Sequence, residues 1–110
     1  MIKMMSSMKG TTFTVDAFSF GKIPNITAYF LSHFHSDHYG GLTKSFSHGL
    51  IYCSSVTANL VIGQLKVDEM YIRRLPLNEE VEIEGVKVTL IDANQLSIIY
   101  FSPFIHQSFG

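Results

Sequence analysis

The feature that most constrains the fold is an apolar run that ends in a cluster of side chains of the types that bind metal ions. Residues 26–32 read ITAYFLS, and residues 33–41 follow directly as HFHSDHYGG. A continuous run of β-forming residues is typical of a strand buried on both faces, as in a sheet covered by helices. The sequence therefore predicts that three of the chain's five histidines lie at the C-terminal end of an interior strand.

The rest of the chain reads as alternating strands and helices. A serine N-cap at Ser54 or Ser55 precedes apolar residues at helical spacing, and a second, short helix is predicted at residues 42–46. Glutamates alternate with Val81 and Ile83 before the turn at Glu84, which predicts a β-hairpin with one wet face. Further strands are predicted at residues 11–18, 26–32, 50–54 and 71–76. These elements indicate an α/β (α+β) fold, with a mixed β-sheet and covering helices.

Composition narrows the possible functions. Charged residues make up 15% of the chain, against about 25% in an average globular protein, so we expect either deep burial or apolar surface that something else covers. With a net charge of −1, the chain lacks the excess of basic residues that is typical of a stand-alone nucleic-acid-binding protein. Arg73 and Arg74 form the only basic pair, so no import signal is visible. The longest apolar stretch is far short of the ~18 residues of a membrane span, and the single cysteine fits a reducing compartment.

The histidine segment indicates metal chemistry. His33 and His35 alternate in what is predicted to be an extended loop, so both can reach one cation. Asp37 and His38 are adjacent and diverge, so they can reach a second cation. Imidazole nitrogens and carboxylate oxygens are ordinary zinc ligands, and two metals ~3.5–4 Å apart can supply a hydroxide for phosphoryl or acyl transfer. The spacing therefore predicts a binuclear metallohydrolase without specifying its substrate.

Further ligands are needed, because two catalytic zinc ions take roughly six protein ligands between them. Asp16 and Asp92 lie near predicted strand ends and are equally compatible with a ligand or supporting role and with a turn or cap carboxylate. His48 is expected to face solvent in a turn, and His106 has no local partner. Cys53 is expected to be a small core residue.

The flanks of the histidine motif carry a family resemblance. The pattern H-x-H-x-D-H after a β-run resembles the signature of the metallo-β-lactamase superfamily. The stretches FTVDAF, TAYFLSHFHSDHYGGLTK, IYCSSVTANL, YIRRLPLNEE and GVKVTLIDAN resemble the DNA cross-link repair nucleases of its β-CASP branch, the plant-type members above all. The resemblance covers residues 12–94. It implies the N-terminal half of a metallo-β-lactamase αβ/βα sandwich.

The resemblance also implies an activity and site roles. Family members are 5′-to-3′ DNA exonucleases that use zinc and serve interstrand cross-link repair in the nucleus. The resemblance therefore implies DNA with 5′ ends as the partner, and no membrane partner is expected. His33 and His35 match the ligands of one metal, and Asp37 and His38 match those of the other. Asp37 would also position the attacking water. Asp16 matches the aspartate that orients the metal-binding histidines.

The chain departs from the family after residue 94. There the family continues with His-Cys-Pro-Gly-Ala, whose histidine is a ligand, whereas this chain has Gln95, and an amide is a poor zinc ligand. The later Gly-Asp-Phe-Arg motif and the β-CASP domain have no counterpart. We therefore expect a flexible arm at residues 1–10, a partial metallo-β-lactamase domain at 11–94, a divergent tail at 95–110, and impaired activity. Exposed apolar surface should follow from a missing layer.

Two other classes of function remain open. The chain could be a non-catalytic metal-binding fragment or isoform, which would hold less than one tight zinc per chain. It could also be another hydrolase of the same fold, acting on a thioester, a lactam or RNA, because the histidine motif is shared. A substrate screen would separate that hydrolase from a nuclease.

Overall fold

The computed structural model describes residues 6–7, 12–93, 96–102 and 105–109, and it describes the side chains of residues 12–91 together with those of Ile99 and Phe101. The first five strands are β1 Ser6–Ser7, β2 Phe13–Val15, β3 Ala28–Phe30, β4 Leu50–Ser54 and β5 Ile72–Leu75. The last four are β6 Glu80–Ile83, β7 Val86–Ala93, β8 Leu96–Ser102 and β9 Ile105–Phe109. The helices are α1 Ser36–Tyr39 and α2 Ser55–Leu60; a π-helical segment Val61–Leu65 extends α2, and a 3₁₀ turn spans Glu69–Tyr71.

The first sheet has the strand order β1-β2-β3-β4-β5. Strands β2 to β5 run parallel, and β1 pairs antiparallel with β2. All residues of β3 are buried, as the apolar run predicts for an interior strand. Because the parallel strands point the same way, their C-terminal ends, and the segments that follow them, meet at one edge of the sheet.

The second sheet is antiparallel, in the order β6-β7-β8-β9. The predicted hairpin is confirmed: β6 and β7 pair from Ile83↔Val86 outward, and Glu84 and Gly85 both have positive φ, at 50° and 83°. A two-residue turn with positive φ at both positions matches the right-handed twist of the flanking strands. The strands thus form two sheets, because the chain changes sheet between β5 and β6. The first of them is mixed, as predicted, since β1 is antiparallel to β2 and the other strands are parallel.

Apolar residues fill the space on both faces of the first sheet. On one face, Phe13 and Phe30 meet Phe101 of the second sheet, with ring centroids 6.0 and 5.3 Å from it. On the other face, Tyr29 belongs to a second buried cluster that also contains Ala58 and Val61 of the helical segment. The order is therefore sheet, sheet, helix, consistent with an α/β protein.

A polar clasp joins the hairpin tip to the first sheet. Thr12 donates its hydroxyl to Oε1 of Glu84 at 2.6 Å, and Thr27 lies 2.8 Å from Oε2 of the same carboxylate. The clasp lies at the start of β2 and β3, the end of the sheet opposite the histidine segment. It holds the two layers together away from the candidate site.

The element predictions mostly agree with the structure. Strands occur within residues 11–18, 26–32 and 71–76 and over 50–54 as predicted, and Ser54 is the N-cap of α2, accepting from the Thr57 amide at 3.2 Å. The helix predicted at residues 42–46 is wrong: that segment is turn and coil, and α1 forms just before it.

The predicted arm and tail contain paired strands where they are described. Ser6–Ser7 pairs with β2; residues 1–5 and 8–10 lie outside the described residues. In the predicted tail, β8 pairs with β7 and β9 with β8, whereas Gln95 lies outside the described residues. Over the described part of the chain, no helix combines the length and apolar character needed to cross a bilayer.

Candidate metal centre

The predicted site residues gather at the C-terminal ends of β2 and β3. Asp16 follows β2 directly, with φ of 51°, and its amide donates to the Phe30 carbonyl at 2.8 Å, which extends the strand pairing by one step. Ser32 and His33 follow β3 at the same edge. In open α/β sheets this edge is where ligands bind.

Asp16 anchors the centre from a buried position. It is 4% exposed, and its Oδ1 accepts the Ser32 amide at 2.9 Å while its Oδ2 accepts the Ser32 hydroxyl at 2.6 Å. The same Oδ2 lies 2.8 Å from Nδ1 of His38, which is itself buried. A carboxylate bonded to one imidazole nitrogen fixes the ring orientation and leaves the other nitrogen for a metal, an arrangement common around metal sites.

The turn of α1 places the histidines around this anchor. The His35 carbonyl accepts the amides of His38 and Tyr39 at 2.8 and 3.0 Å, which forms α1. His33 and His35 precede this helix, and His35 is extended, with φ of −132° and ψ of 143°. Phe34 stacks on Tyr39 with centroids 4.6 Å apart and holds the turn closed. The rings of His33 and His38 lie 4.9 Å apart, and that of His35 lies 6.4 Å from His38.

Gly41 fits this segment against the loop after β2. Its φ is 94°, and an added Cβ would lie 2.7 Å from the Ser19 Cα and would overlap the Phe18 carbonyl. The residue must therefore lack a side chain. The two backbone segments approach each other closely at this position.

The four predicted ligands are only partly gathered. His38 is buried and His33 half-buried, whereas the side chains of His35 and Asp37 are 75% and 70% exposed. Asp37 Oδ2 lies 3.9 Å from His38 Nε2, and Asp37 Oδ1 lies 3.9 Å from His35 Nδ1. Among the described side chains, no three His, Cys, Asp or Glu residues are grouped so as to hold a metal ion.

The donor set nevertheless suits zinc. Three imidazoles and one carboxylate are ligands that zinc accepts, and the exposed His35 and Asp37 side chains can change rotamer at little cost. His38 has its Nδ1 bonded to Asp16, so its Nε2 is the nitrogen that would ligate. Zinc binding would thus require rotation of two exposed side chains and leave the buried anchor unchanged.

A cleft of about 510 Å³ opens beside the histidines. Its walls are His33 and His35 on one side and the start of α2 on the other, with Val56 69% exposed. Pro76 and Leu77 form the floor beyond β5. The volume is in the range of small-molecule sites, and most of the lining is apolar.

The remaining candidates do not join the centre. His48 is half-buried, with its ring 5.0 Å from that of Phe46 and 6.4 Å from that of Tyr29, so it faces solvent only in part. Cys53 is a core residue as predicted, at 1% exposure. The side chains of Asp92 and His106 lie outside the described ones; their backbones form part of β7 and β9.

Sequence reasoning missed Ser32. This residue is 3% exposed and its hydroxyl contacts Asp16, His33 and His38. A small polar residue that ends an apolar strand and precedes a histidine motif was the available signal.

Comparison with known proteins identifies the chain's relatives. No protein-family model matches it. It is 58% identical over 82 residues to a DNA cross-link repair protein of Schizosaccharomyces pombe, covering 74% of this chain and 15% of the relative. It is 55% identical over 87 residues to a DNA cross-link repair protein of Arabidopsis thaliana, covering 79% and 18%. It is 37% identical over 91 residues to the 5′ exonuclease Apollo of Danio rerio, covering 76% and 16%.

The fold and site define an α/β protein with a histidine–carboxylate cluster at the C-terminal ends of parallel strands. The chain belongs to the family of the DNA cross-link repair nucleases, as the resemblance predicted. The fungal and plant relatives are about equally similar, so the similarity is not specific to plants. The chain spans less than a fifth of the length of these three relatives.

Proposed function

We propose that the chain provides the histidine-bearing part of a zinc-dependent DNA nuclease that degrades from 5′ ends in interstrand cross-link repair. The observation that carries the proposal is the buried bond between Asp16 and His38 Nδ1, which prepares an imidazole for metal at the edge of the sheet. The names of the relatives, which include a 5′ exonuclease, support DNA as the substrate. A metallo-β-lactamase fold and a nuclear location are part of the same proposal.

The residues of this chain have distinct tasks in the proposed reaction. His33 and His35 would hold one zinc ion, and Asp37 and His38 the other. Asp37 is exposed at the mouth of the centre, where it can accept a proton from a water molecule and orient it. Asp16 keeps His38 in place. Bound zinc would supply a hydroxide at neutral pH and stabilise charge on the phosphate.

The apolar cleft offers room for the end of a DNA strand. Val56 and Leu60 on one wall and Leu77 on the floor are surfaces on which a base or sugar can pack. The cleft borders His33 and His35, so a nucleotide lying in it would have its phosphate near the proposed metals.

A segment exchange tests the proposal. Residues 12–93 of this chain would replace the matching segment of the Schizosaccharomyces pombe relative, in a yeast strain that lacks that relative. We expect the chimera to restore survival after treatment with a DNA cross-linking agent, and the same chimera with His35→Ala to fail. A chimera that performs no better than the empty vector contradicts the proposal.

We further propose that the chain alone is a weak enzyme or a non-catalytic metal-binding segment. The observation in favour is that no three candidate ligands are grouped among the described side chains. With added zinc, the purified chain should digest little 5′-phosphorylated single-stranded DNA. Robust digestion that a chelator stops, and that His35→Ala removes, would contradict this.

A further inference from the structure

Ser32 is the link between the two halves of the candidate centre. Its hydroxyl oxygen lies 2.6 Å from Asp16 Oδ2, 3.0 Å from His33 Nδ1 and 3.4 Å from His38 Nδ1. The residue is 3% exposed, so solvent has little access to these contacts. Every buried side-chain nitrogen and oxygen among the described residues has a hydrogen-bond partner, so the network is complete.

The distances determine where the protons lie. An ionised carboxylate only accepts hydrogen bonds, and a serine hydroxyl has a single proton. The 2.6 Å contact is in the range of a hydroxyl donating to a carboxylate, so the Ser32 proton belongs to the bond with Asp16. The Ser32 oxygen is then an acceptor, and His33 Nδ1 must carry the proton between them. In this tautomer the lone pair of His33 is on Nε2.

The hydroxyl is not needed to hold Asp16. The Ser32 backbone amide donates to Asp16 Oδ1 at 2.9 Å, and this bond survives any change of side chain. His38 has its own bond to Asp16. The distinct contribution of the hydroxyl is therefore its contact with His33, which the backbone amide of Ser32 does not make.

We propose that Ser32 is a positioning residue that relays the charge of Asp16 to His33 and holds His33 in the Nδ1–H tautomer, so that Nε2 is the nitrogen available to zinc. The proposal rests on the proposed function, because it assigns His33 as a zinc ligand. Asp16 thus controls both imidazoles, His38 directly and His33 through Ser32. Partners of this kind commonly change metal affinity 10- to 100-fold when they are removed.

The test measures tautomers and zinc affinity in the full chain. Long-range ¹H–¹⁵N spectra of the metal-free protein report which nitrogen of each histidine carries the proton. In Ser32→Ala we expect His33 to shift towards the Nε2–H tautomer, while His38 keeps Nδ1–H because its bond to Asp16 remains. Zinc affinity, measured by competition with a chromophoric chelator, should fall at least about tenfold. Ser32→Thr keeps the hydroxyl and should restore both values.

The outcomes separate the alternatives. An unchanged His33 tautomer in Ser32→Ala, or zinc affinity within twofold of the unchanged chain, overturns the proposal. An equal loss in Ser32→Ala and Ser32→Thr also overturns it, because the effect would then be one of packing. If Ser32→Ala does not fold, Ser32→Gly replaces it, with the same expected results. The tautomer is read without zinc or DNA, so it can hold or fail independently of the proposed nuclease function.

Discussion

Individual buried polar residues give this chain its most specific chemistry. Asp16 adopts a positive φ of 51° and accepts three hydrogen bonds at the edge of the sheet. A left-handed conformation is uncommon outside glycine, but Asp and Asn tolerate it. The conformation and the bonds together direct a charge at the histidine segment.

Replacement of Asp16 by asparagine should weaken zinc binding 10- to 100-fold with little change in fold. Asparagine tolerates the same φ but provides a neutral amide in place of the carboxylate that orients His38. A chelator-competition titration measures the effect, and Glu82→Gln, on an exposed strand position, is the matched charge control. Equal affinities for Asp16→Asn and Glu82→Gln would contradict the anchoring role.

The Cys53 thiol should be inert in the folded protein. Burial raises its pKa from 9.0 to about 12, and the thiolate is the reactive form. A disulfide reagent at pH 8 should therefore react only after urea unfolds the chain. Prompt, stoichiometric reaction of the native protein would show that this strand is not buried as described.

The same pKa predicts a loss of stability in alkali. Below pH 9 the thiol is neutral in both states, and between pH 9 and about 12 the unfolded chain releases its proton first. The free energy of unfolding should therefore fall across this window. Urea titrations at several pH values should show that the free energy of unfolding falls less steeply with pH in Cys53→Ala, which has no thiol to ionise. Identical slopes of this free energy against pH in the two proteins would contradict the raised pKa.

The sequence predicted local structure best at positions where the residue type is compatible with few backbone conformations or hydrogen-bonding roles. The serine N-cap and the Glu84–Gly85 turn predicted their local structures correctly. Ser32 was missed because the sequence does not show that folding brings Asp16, 16 residues earlier in the chain, into contact with it. His48 is partly covered for a similar reason, since Tyr29, which lies 6.4 Å from its ring, comes from another element.

At the scale of elements, the short helix α1 and its glycines determine the shape of the histidine segment. The sequence predicted a helix at residues 42–46, but this segment is turn and coil. Gly41, just before it, lies in tight contact with the Phe18–Ser19 backbone, and no helix directly follows that contact. Local helix propensity did not reveal this contact, because its partner lies after β2. Only tertiary packing decides which side of the glycines is helical.

Gly41→Ala should destabilise the fold by about 1–3 kcal/mol through strain at positive φ, with a further cost for overlap with backbone. Gly63→Ala is the matched control, since an added Cβ there meets nothing within 4 Å; it should be neutral or stabilise by about 0.5–1 kcal/mol. Urea unfolding monitored by circular dichroism measures both. A stability of Gly41→Ala equal to that of Gly63→Ala would contradict the close approach.

The whole molecule is held together by the aromatic contact between its two sheets. Phe30 is fully buried, with ring centroids 5.1 Å from Phe13 and 5.3 Å from Phe101. The assignment of each strand to one of the two sheets could not be predicted from alternation, because alternation predicts strands without specifying which of them pair. Large exposed apolar side chains also occur, as the composition suggested: Phe20, Val56, Met70 and Leu77.

Phe30→Ala should lower the free energy of unfolding by about 3–5 kcal/mol, which is the usual cost of emptying a core phenylalanine site. Phe20→Ala removes the same side chain from a position that is 47% exposed and should cost far less. Thermal and urea unfolding compare the two variants. Similar losses in both would show that the interface between the sheets is not the main core.

The measurement that tests the central claim most directly is zinc binding by the purified chain, with stoichiometry from atomic absorption and ligand type from X-ray absorption spectroscopy. We predict bound zinc with imidazole nitrogen at ~2.0–2.1 Å, lost in the double variant His33→Ala with His38→Ala and retained in His48→Gln. Absence of bound zinc in the unchanged chain, or equal zinc in the double variant and in His48→Gln, would contradict the claim that the Asp16-anchored histidine cluster is a metal centre.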